Sequence, residues 1–267
     1  MLIRVIIYGG VFIGAYFALI LEPSSSIGPL SAKKTSGPVA ERVIGISERD
    51  SFHEETDKIR KFVHQSSVHL IDDELYEYLH DSDRILAMLE ASYLGKHKQP
   101  HLECWTRSNA MIRMAHSIGV RSRKVIVYRS VDGYLSHTLL EVYNPETSAW
   151  EMQDPDYDMF YVDTGKTRRA SITDLVTNPY DAFMPCSDEH TCGWNIGSKE
   201  HHDPKVLYDY FGLATFPDGE TALVLVNDDR FPFSETFMLD GERIQFCEIK
   251  PALCTDGRIV RGSWGTN

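Results

Sequence analysis

From residue 137 to residue 155 the chain reads HTLLEVYNPETSAWEMQDP. The runs TLLEVY and AWEMQ are strand-like, and they flank NPET, a tetrapeptide rich in turn-forming residues. With NPET as the loop of an antiparallel hairpin, Tyr143 pairs with Ser148. Counting outward, His137 lies opposite Asp154. Directly opposed residues share one face of the sheet, so the hairpin predicts that a carboxylate orients an imidazole at its open end.

A helix is predicted upstream, over residues 102–118, and Gly119 closes it. Cys104 lies at its start, where unpaired backbone N–H groups and aligned peptide dipoles favour a thiolate. The same N–H groups are suited to hold an oxyanion. Trp105 and Gln99 are the candidate residues for completing such an oxyanion site.

These features together predict a Cys–His–Asp triad if the imidazole reaches the thiol. Cys104 is then the nucleophile, His137 the acid/base and Asp154 the group that fixes the tautomer. The reaction class is acyl transfer through a thioester, in which water gives hydrolysis and an amine gives transamidation. Each of these three residues alone also has an ordinary structural explanation. Their occurrence together, with a matching hairpin register, favours the triad. Asp156, on the same face by parity, is the alternative carboxylate.

The pattern along the chain predicts an α+β fold, with helices packed on an antiparallel sheet. Helices are predicted at 50–63, from about 72 to 94 and at 102–118, and strands at 124–128, 138–143, 149–153, 221–226, 236–239 and 243–247. The expected domains are an N-terminal anchor (1–22), a Ser-, Pro- and Gly-rich linker (23–45), a catalytic core (46–170) and a β-rich C-terminal extension packed on that core (171–267).

Residues 5–21 contain no charged side chain, and Arg4 precedes them. As a helix, this run is about 26 Å long, close to the lower limit for crossing a bilayer. It predicts an uncleaved signal-anchor forming a transmembrane helix; a cleaved signal peptide and a buried helix are the alternatives. The first two place the rest of the chain outside the cytoplasm, in the periplasm or at the cell surface, or secreted after cleavage.

The chain has five cysteines. Cys186 lies close to Cys192 in sequence, and Cys247 lies close to Cys254. Two local disulfides with Cys104 as the free thiol is the simplest division, although four cysteines allow three pairings. Disulfides agree with an exported protein, whereas five reduced thiols would be typical of a cytosolic one.

The net charge of −12 argues against nucleic acid as a partner, because phosphate binding needs clustered lysine and arginine. Two groups of residues contain metal-ligand side chains, but each has a simpler explanation. The first group suggests zinc and is explained better by a local disulfide; it contains Cys186, His190 and Cys192, with His201 and His202 nearby. The second group suggests calcium and is explained better by a solvated loop; it contains Asp154, Asp156, Asp158 and Asp163. No metal and no cofactor is therefore expected.

Four motifs in order resemble the transglutaminase-like cysteine enzyme superfamily: Cys104-Trp105, GVRSRKV at 119–125, HTLLEVY at 137–143 and WEMQDP at 150–155. The resemblance covers residues 102–156. It implies a papain-like α+β core in a membrane-anchored member of bacterial type, with the triad roles given above. Known members include cross-linking enzymes, peptidases, amidases and catalytically silent domains.

Three residues depart from the family pattern. Leu102 stands where a small residue is common, Thr138 where an aromatic residue is common, and Glu103 brings a negative charge next to the nucleophile. The expected function is hydrolysis of an amide in a peptide, protein or envelope polymer, since nothing marks an amine-acceptor site. The alternative is a non-catalytic domain that binds an envelope polymer or a protein. Expected partners are the substrate, the membrane through the N-terminal helix, and a membrane-protein or assembly partner.

Overall fold

The computed structural model describes residues 38–128, 136–178, 182–188, 190–193 and 223–230, and then 232–234, 236–239, 242–245, 247, 254–255 and 258–259. All of them belong to one unit, Ser36–Asn267. The expected transmembrane segment, residues 1–22, lies outside the described residues. Among the residues that are described, no helix is long and apolar enough to cross a membrane.

The described residues form an α+β fold in which helices pack on an antiparallel sheet. The helices are α1 (Pro38–Arg42), α2 (Phe52–Gln65), α3 (Asp73–Tyr76), α4 (Ser82–Tyr93), α5 (Cys104–Ser117) and α6 (Ile172–Thr177). The strands are β1 (Val68–His69), β2 (His101–Leu102), β3 (Ser122–Tyr128), β4 (Ser136–Asn144), β5 (Ala149–Gln153), β6 (Phe160–Asp163), β7 (Phe183–Cys186), β8 (Leu223–Asn227), β9 (Thr236–Leu239), β10 (Glu242–Gln245), β11 (Cys254–Thr255) and β12 (Arg258–Ile259).

Six strands form the main sheet, in the order β10-β9-β8-β3-β4-β5. Successive residues of a strand face opposite sides of a sheet, and β4 is buried on both. Leu140 packs into a core with Met111 of α5 and Phe62 of α2. Leu139 packs into a second core with Met152 of β5. The main sheet therefore lies between the helices α2, α4 and α5 on one side and β6 and α6 on the other.

The predicted helix from about 72 to 94 is two helices, α3 and α4. The interruption follows from two separate N-caps. The side chain of Asp72 accepts a hydrogen bond from the amide of Leu75, and the side chain of Asp81 accepts one from the amide of Arg84. Each aspartate satisfies an amide that starts a helix, so the second cap starts a new helix rather than continuing the first.

The predicted hairpin exists, but its register is wrong by two residues. Tyr143 pairs with Trp150, and the loop is 145–148 instead of 144–147. Asn144 stays in the strand opposite Ala149, and its side-chain oxygen accepts a hydrogen bond from the amide of Glu146. The turn is completed at Ser148, whose φ of 54° is left-handed. Because side chains alternate with a period of two, this shift leaves every residue on its predicted face.

Two elements of the structure lie outside the predicted catalytic core. Helix α1 lies inside the expected linker, 23–45, and Ala40 within it is buried in the helical core. The C-terminal strand β8 pairs with β3, so strands after residue 171 extend the sheet of the core itself. Burial of Leu225 in β8 confirms that this region contributes to the protein interior.

The cysteines divide as the sequence predicts where the structure describes them. Cys186 and Cys192 form a disulfide, and Cys104 is a free thiol. This bond removes the two thiolates that the zinc alternative requires. Cys247 is also disulfide-bonded. Its pairing with Cys254 stays a prediction, because the side chain of Cys254 lies outside the described side chains.

Replacing Cys186 and Cys192 together by alanine should lower the free energy of unfolding by about 2 kcal/mol, the loop-closure entropy expected for a short loop. Urea denaturation of the full chain under non-reducing conditions measures this. Cys104→Ala, which removes a thiol but no disulfide, is the matched control. Equal stability of the double variant and this control would contradict a stabilising role for the bond.

Candidate active site

The structure brings His137 and Asp154 together at the open end of the hairpin. The Nε2 atom of His137 lies 2.7 Å from Oδ2 of Asp154. Continuing the observed register places Asp154 opposite Leu139, so this contact is diagonal across the two strands and not directly cross-strand. Both side chains are buried, His137 to 5% exposure and Asp154 to 0%. The predicted contact between His137 and Asp154 is therefore confirmed, but the two residues are diagonal neighbours and not directly opposite each other.

A tight turn after β5 holds the Asp154 carboxylate in place. Its Oδ1 atom accepts hydrogen bonds from the amides of Asp156, at 2.9 Å, and Tyr157, at 3.2 Å. The chain then returns, and Asp154 pairs with Met159. The ring of Tyr157 packs edge-on against His137, with centroids 5.1 Å apart. One carboxylate oxygen thus anchors the turn while the other orients the imidazole.

Cys104 is the first residue of α5 and remains partly exposed. Strand β5 pairs with β4 only as far as Leu140, so β4 extends past the end of β5. The backbone of Thr138 in this extension acts on the Cys104 thiol and by itself lowers the thiol pKa. Ser108, one turn further along α5, donates to the carbonyl oxygen of Thr138 at 3.0 Å. The helix start is therefore fixed against the residue that follows His137.

Glu103 caps α5 and contacts the thiol. Its carboxylate accepts hydrogen bonds from the amides of Trp105, at 2.7 Å, and Thr106, at 2.9 Å. The Cys104 thiol also donates to Glu103 Oε2, at 3.4 Å. The glutamate expected to oppose thiolate formation does point at the sulfur. It also takes two of the amides that would otherwise favour a negative charge there.

Electrostatics keep the resting thiol protonated. Burial raises the pKa of Cys104 well above its usual value, and the charges of Glu103 and Asp156 raise it further. Burial also raises the pKa of Glu103. For His137, burial alone lowers the pKa, but the charge and hydrogen bond of Asp154 outweigh it and raise the pKa above its usual value. Glu103 and Asp156 act on both the thiol and the imidazole.

The two oxyanion candidates lie in different surroundings. The amide of Trp105 is directed at Glu103, and the Trp105 ring receives Nζ of Lys124 at 3.8 Å from its centroid. The side-chain amide of Gln99 is exposed and donates to the carbonyl of Gln65 at 2.7 Å. An oxyanion role for either residue stays a prediction. In the first turn of α5, the amide of Cys104 is the one that Glu103 does not engage among the described contacts.

A second histidine–carboxylate pair lies beside the first, and the sequence reading missed its partners. His69 Nδ1 is 2.7 Å from Oδ1 of Asp156. Arg107 of α5 donates to the same oxygen at 3.1 Å and to the Asp156 carbonyl at 3.0 Å. Arg107 also donates to the carbonyl of Ser67. An arginine three residues after the cysteine, on the same side of the helix, was the one available signal, but it does not identify Asp156 as the partner.

The acidic run expected to be a solvated loop is largely buried and paired. Asp156 is 2% exposed, and Asp158 accepts a hydrogen bond from Arg60 at 2.9 Å. Arg60 is itself completely buried and also donates to Gln153 at 2.7 Å. These ion pairs explain the acidic residues without a calcium ion.

A cleft opens directly beside Glu103 and Trp105 at the start of α5. The space between its walls, counted together with the open solvent at its mouth, is about 370 Å³. Its walls are mostly apolar and come from the segment that contains α3. The lining side chains there include Ile71, Leu75, Tyr76 and Leu79, with His80 also present.

No model of a known protein family matches this chain, and no curated protein matches it. The geometry of the site therefore carries the functional argument.

Arg107→Met should destabilise the protein by about 3–5 kcal/mol, because Asp156 would be left as a buried charge without its arginine partner. Urea denaturation measures the loss. Arg113→Met is the matched control on the same helix: Arg113 pairs with Asp83, whose side chain is 82% exposed. Its cost should stay below about 1 kcal/mol, as for other surface pairs. Similar losses for both variants would contradict the structural importance assigned to Arg107.

Asp156 should make the protein less stable in acid. Burial opposes its ionisation, but the hydrogen bond and charge of His69, and the charge of Arg107, lower its pKa from 3.8 to about 2. A carboxyl group with a lowered folded-state pKa stabilises the fold above pH 3.8, and this stabilisation disappears as the pH falls towards 2. The loss is about 2 kcal/mol.

Urea denaturation between pH 5 and pH 2 measures this dependence. Asp156→Asn should lack this component of the pH dependence, whereas the exposed control Asp83→Asn should keep it. An unchanged pH dependence in Asp156→Asn would show that Asp156 titrates normally.

Proposed function

We propose that this protein is a cysteine-nucleophile enzyme of transglutaminase-like fold that transfers or hydrolyses the acyl group of an amide. The observation that carries the proposal is the buried His137–Asp154 hydrogen bond, on a strand that Ser108 ties to the helix starting at Cys104 through the carbonyl of Thr138. A buried imidazole bonded to a buried carboxylate costs desolvation free energy, and nucleophilic catalysis gives that arrangement a use.

The hydrogen bond assigns the ring nitrogens. An ionised carboxylate only accepts, so the neutral imidazole carries its proton on Nε2, facing Asp154. Nδ1 is then the nitrogen that takes the proton of the Cys104 thiol. The sulfur attacks the amide carbonyl carbon, the C–N bond breaks, and the leaving amine takes the proton from His137. Water, deprotonated by the same ring, cleaves the thioester and regenerates the thiol.

Because the Cys104 thiol is protonated at rest, the proposed mechanism transfers its proton to His137 during the attack. It does not start from a thiolate–imidazolium ion pair. The pKa of the thiol is raised well above its usual value, chiefly by burial and by Glu103. The imidazole accepts a proton only when it is neutral, and its own pKa is raised. Activity should therefore increase as the pH rises through the pKa of His137.

Hydrolysis is the favoured outcome, since water needs no binding site of its own. The expected substrates are peptides, proteins or envelope polymers with an amide bond. An extracytoplasmic location is part of the proposal, with anchoring through residues 1–22. The Cys186–Cys192 disulfide supports it, because such bonds persist in oxidising compartments.

The second candidate function is a non-catalytic domain that binds an envelope polymer or protein. The contacts of Glu103 favour it. This carboxylate accepts from the Cys104 thiol and from the amides of Trp105 and Thr106. A domain that keeps its thiol neutral and its helix N-terminus occupied has no ready nucleophile.

Alkylation of Cys104 in the full chain distinguishes the two functions. For the enzyme, His137→Ala should slow labelling by iodoacetamide by roughly tenfold or more, because the thiol loses its proton acceptor. The wild-type rate should rise with pH through the pKa of His137. Mass spectrometry of the labelled peptide, sampled over time, gives the rate.

His69→Ala is the matched control, since His69 is also bonded to an aspartate but does not take the thiol proton in this mechanism. Its labelling rate should stay within about twofold of wild type, well short of the change expected from losing a general base. Equal rates for His137→Ala and wild type would exclude the enzyme and favour the binding domain.

A further inference from the structure

The cleft at the start of α5 is lined by the two residues that flank the candidate nucleophile, Glu103 and Trp105, and Glu103 accepts a hydrogen bond from the Cys104 thiol at 3.4 Å. Cys104 itself is partly exposed. A group that occupies the cleft therefore lies next to the sulfur, in the position of a side chain that flanks the amide being attacked.

The walls of this cleft suit an apolar group. Ile71, Leu79 and Trp105 line the cleft together with Leu75, which is buried. Ile71 is 44% exposed and the adjacent Leu70 is 42% exposed, so the apolar surface continues outside the cleft. Covering such surface with an apolar side chain removes it from water and favours binding.

The charge of the cleft disfavours an anion. Glu103 is the charged group nearest to the sulfur, and no lysine or arginine is among the lining residues in the described part of the chain. Burial and the negative charges of Glu103 and Asp73 raise the pKa of the Tyr76 hydroxyl, which also lines the cleft. A carboxylate entering here would meet the like charge of Glu103 and no lysine or arginine among the described lining residues.

From this placement we infer that the cleft is a specificity site that accepts a neutral, apolar side chain next to the reacting amide and rejects one that carries a carboxylate. The inference rests on the proposed function for its substrate. Ile71 and Leu79 select for apolar surface, and Glu103 selects against negative charge. Glu103 is thus a specificity-determining residue and also the residue that holds the thiol proton.

Charge and size selectivity can be measured on the thiol without a known substrate. Two probe pairs are used on the full chain: iodoacetamide with iodoacetate, and N-benzyl- with N-methyl-iodoacetamide. Rates are divided by those of free cysteine, which removes the intrinsic reactivity of each probe. We expect about tenfold preference for the benzyl over the methyl probe, and about tenfold for the neutral over the anionic one.

Separate variants should remove the two preferences separately. Ile71→Ser and Leu79→Ser should each reduce the benzyl preference by several-fold and leave the charge preference unchanged. Glu103→Gln, which keeps an oxygen to cap the helix, should abolish the charge preference and keep the benzyl preference. The matched controls are Leu94→Ser, an exposed leucine outside the cleft, and Glu90→Gln, which removes an equal charge beside Arg42.

The outcomes separate this inference from the proposed function. His137→Ala should retain both preferences while labelling more slowly. If both probe preferences are observed but His137→Ala does not slow labelling, the catalytic function is excluded and the cleft remains a ligand site. Equal normalised rates for all four probes, or charge preferences equally reduced by Glu103→Gln and Glu90→Gln, would overturn the inference.

Discussion

The turn after β5 is the constraint on which the candidate site depends. Asp154 and Asp156 both lie in it, buried and two residues apart, and such charges are stable only with partners. His137 pairs with the first, and Arg107 with His69 pairs with the second. The strand that carries the imidazole and the helix that carries the thiol are thus both tied to the same turn.

Glu103 favours the neutral form of the Cys104 thiol, whereas a cysteine at a helix N-terminus is ordinarily favoured as a thiolate. A helix N-terminus ordinarily favours an anion through its amides, but here a carboxylate of the same chain already occupies them. The thiol donates to that carboxylate instead of facing exposed amides. In the proposed mechanism, the thiol therefore loses its proton at the moment of attack, and the buried His137–Asp154 pair is the group that takes it.

The sequence predicted local features well and long-range ones poorly. The start of α5, the existence of the hairpin and the His137–Asp154 contact all follow from local patterns of turns, caps and alternation. The register did not, because the choice between 144–147 and 145–148 as the loop depended on Asn144 and Ser148, whose turn conformations the composition leaves open. His69 and Arg107 meet Asp156 across distant parts of the chain, and no spacing rule predicts such a contact.

The order of the main sheet makes the core of this protein dependent on its C-terminal part. Strand β3 lies between β4 and β8, so the backbone groups of β3 on one side are satisfied by residues that come some hundred positions later. A fragment ending near residue 170 would keep every candidate catalytic residue but expose an apolar strand edge. Such edges pair with other chains, so the fragment would be expected to aggregate. The candidate catalytic motif and the smallest unit in which β3 is paired on both sides are thus different pieces of the chain.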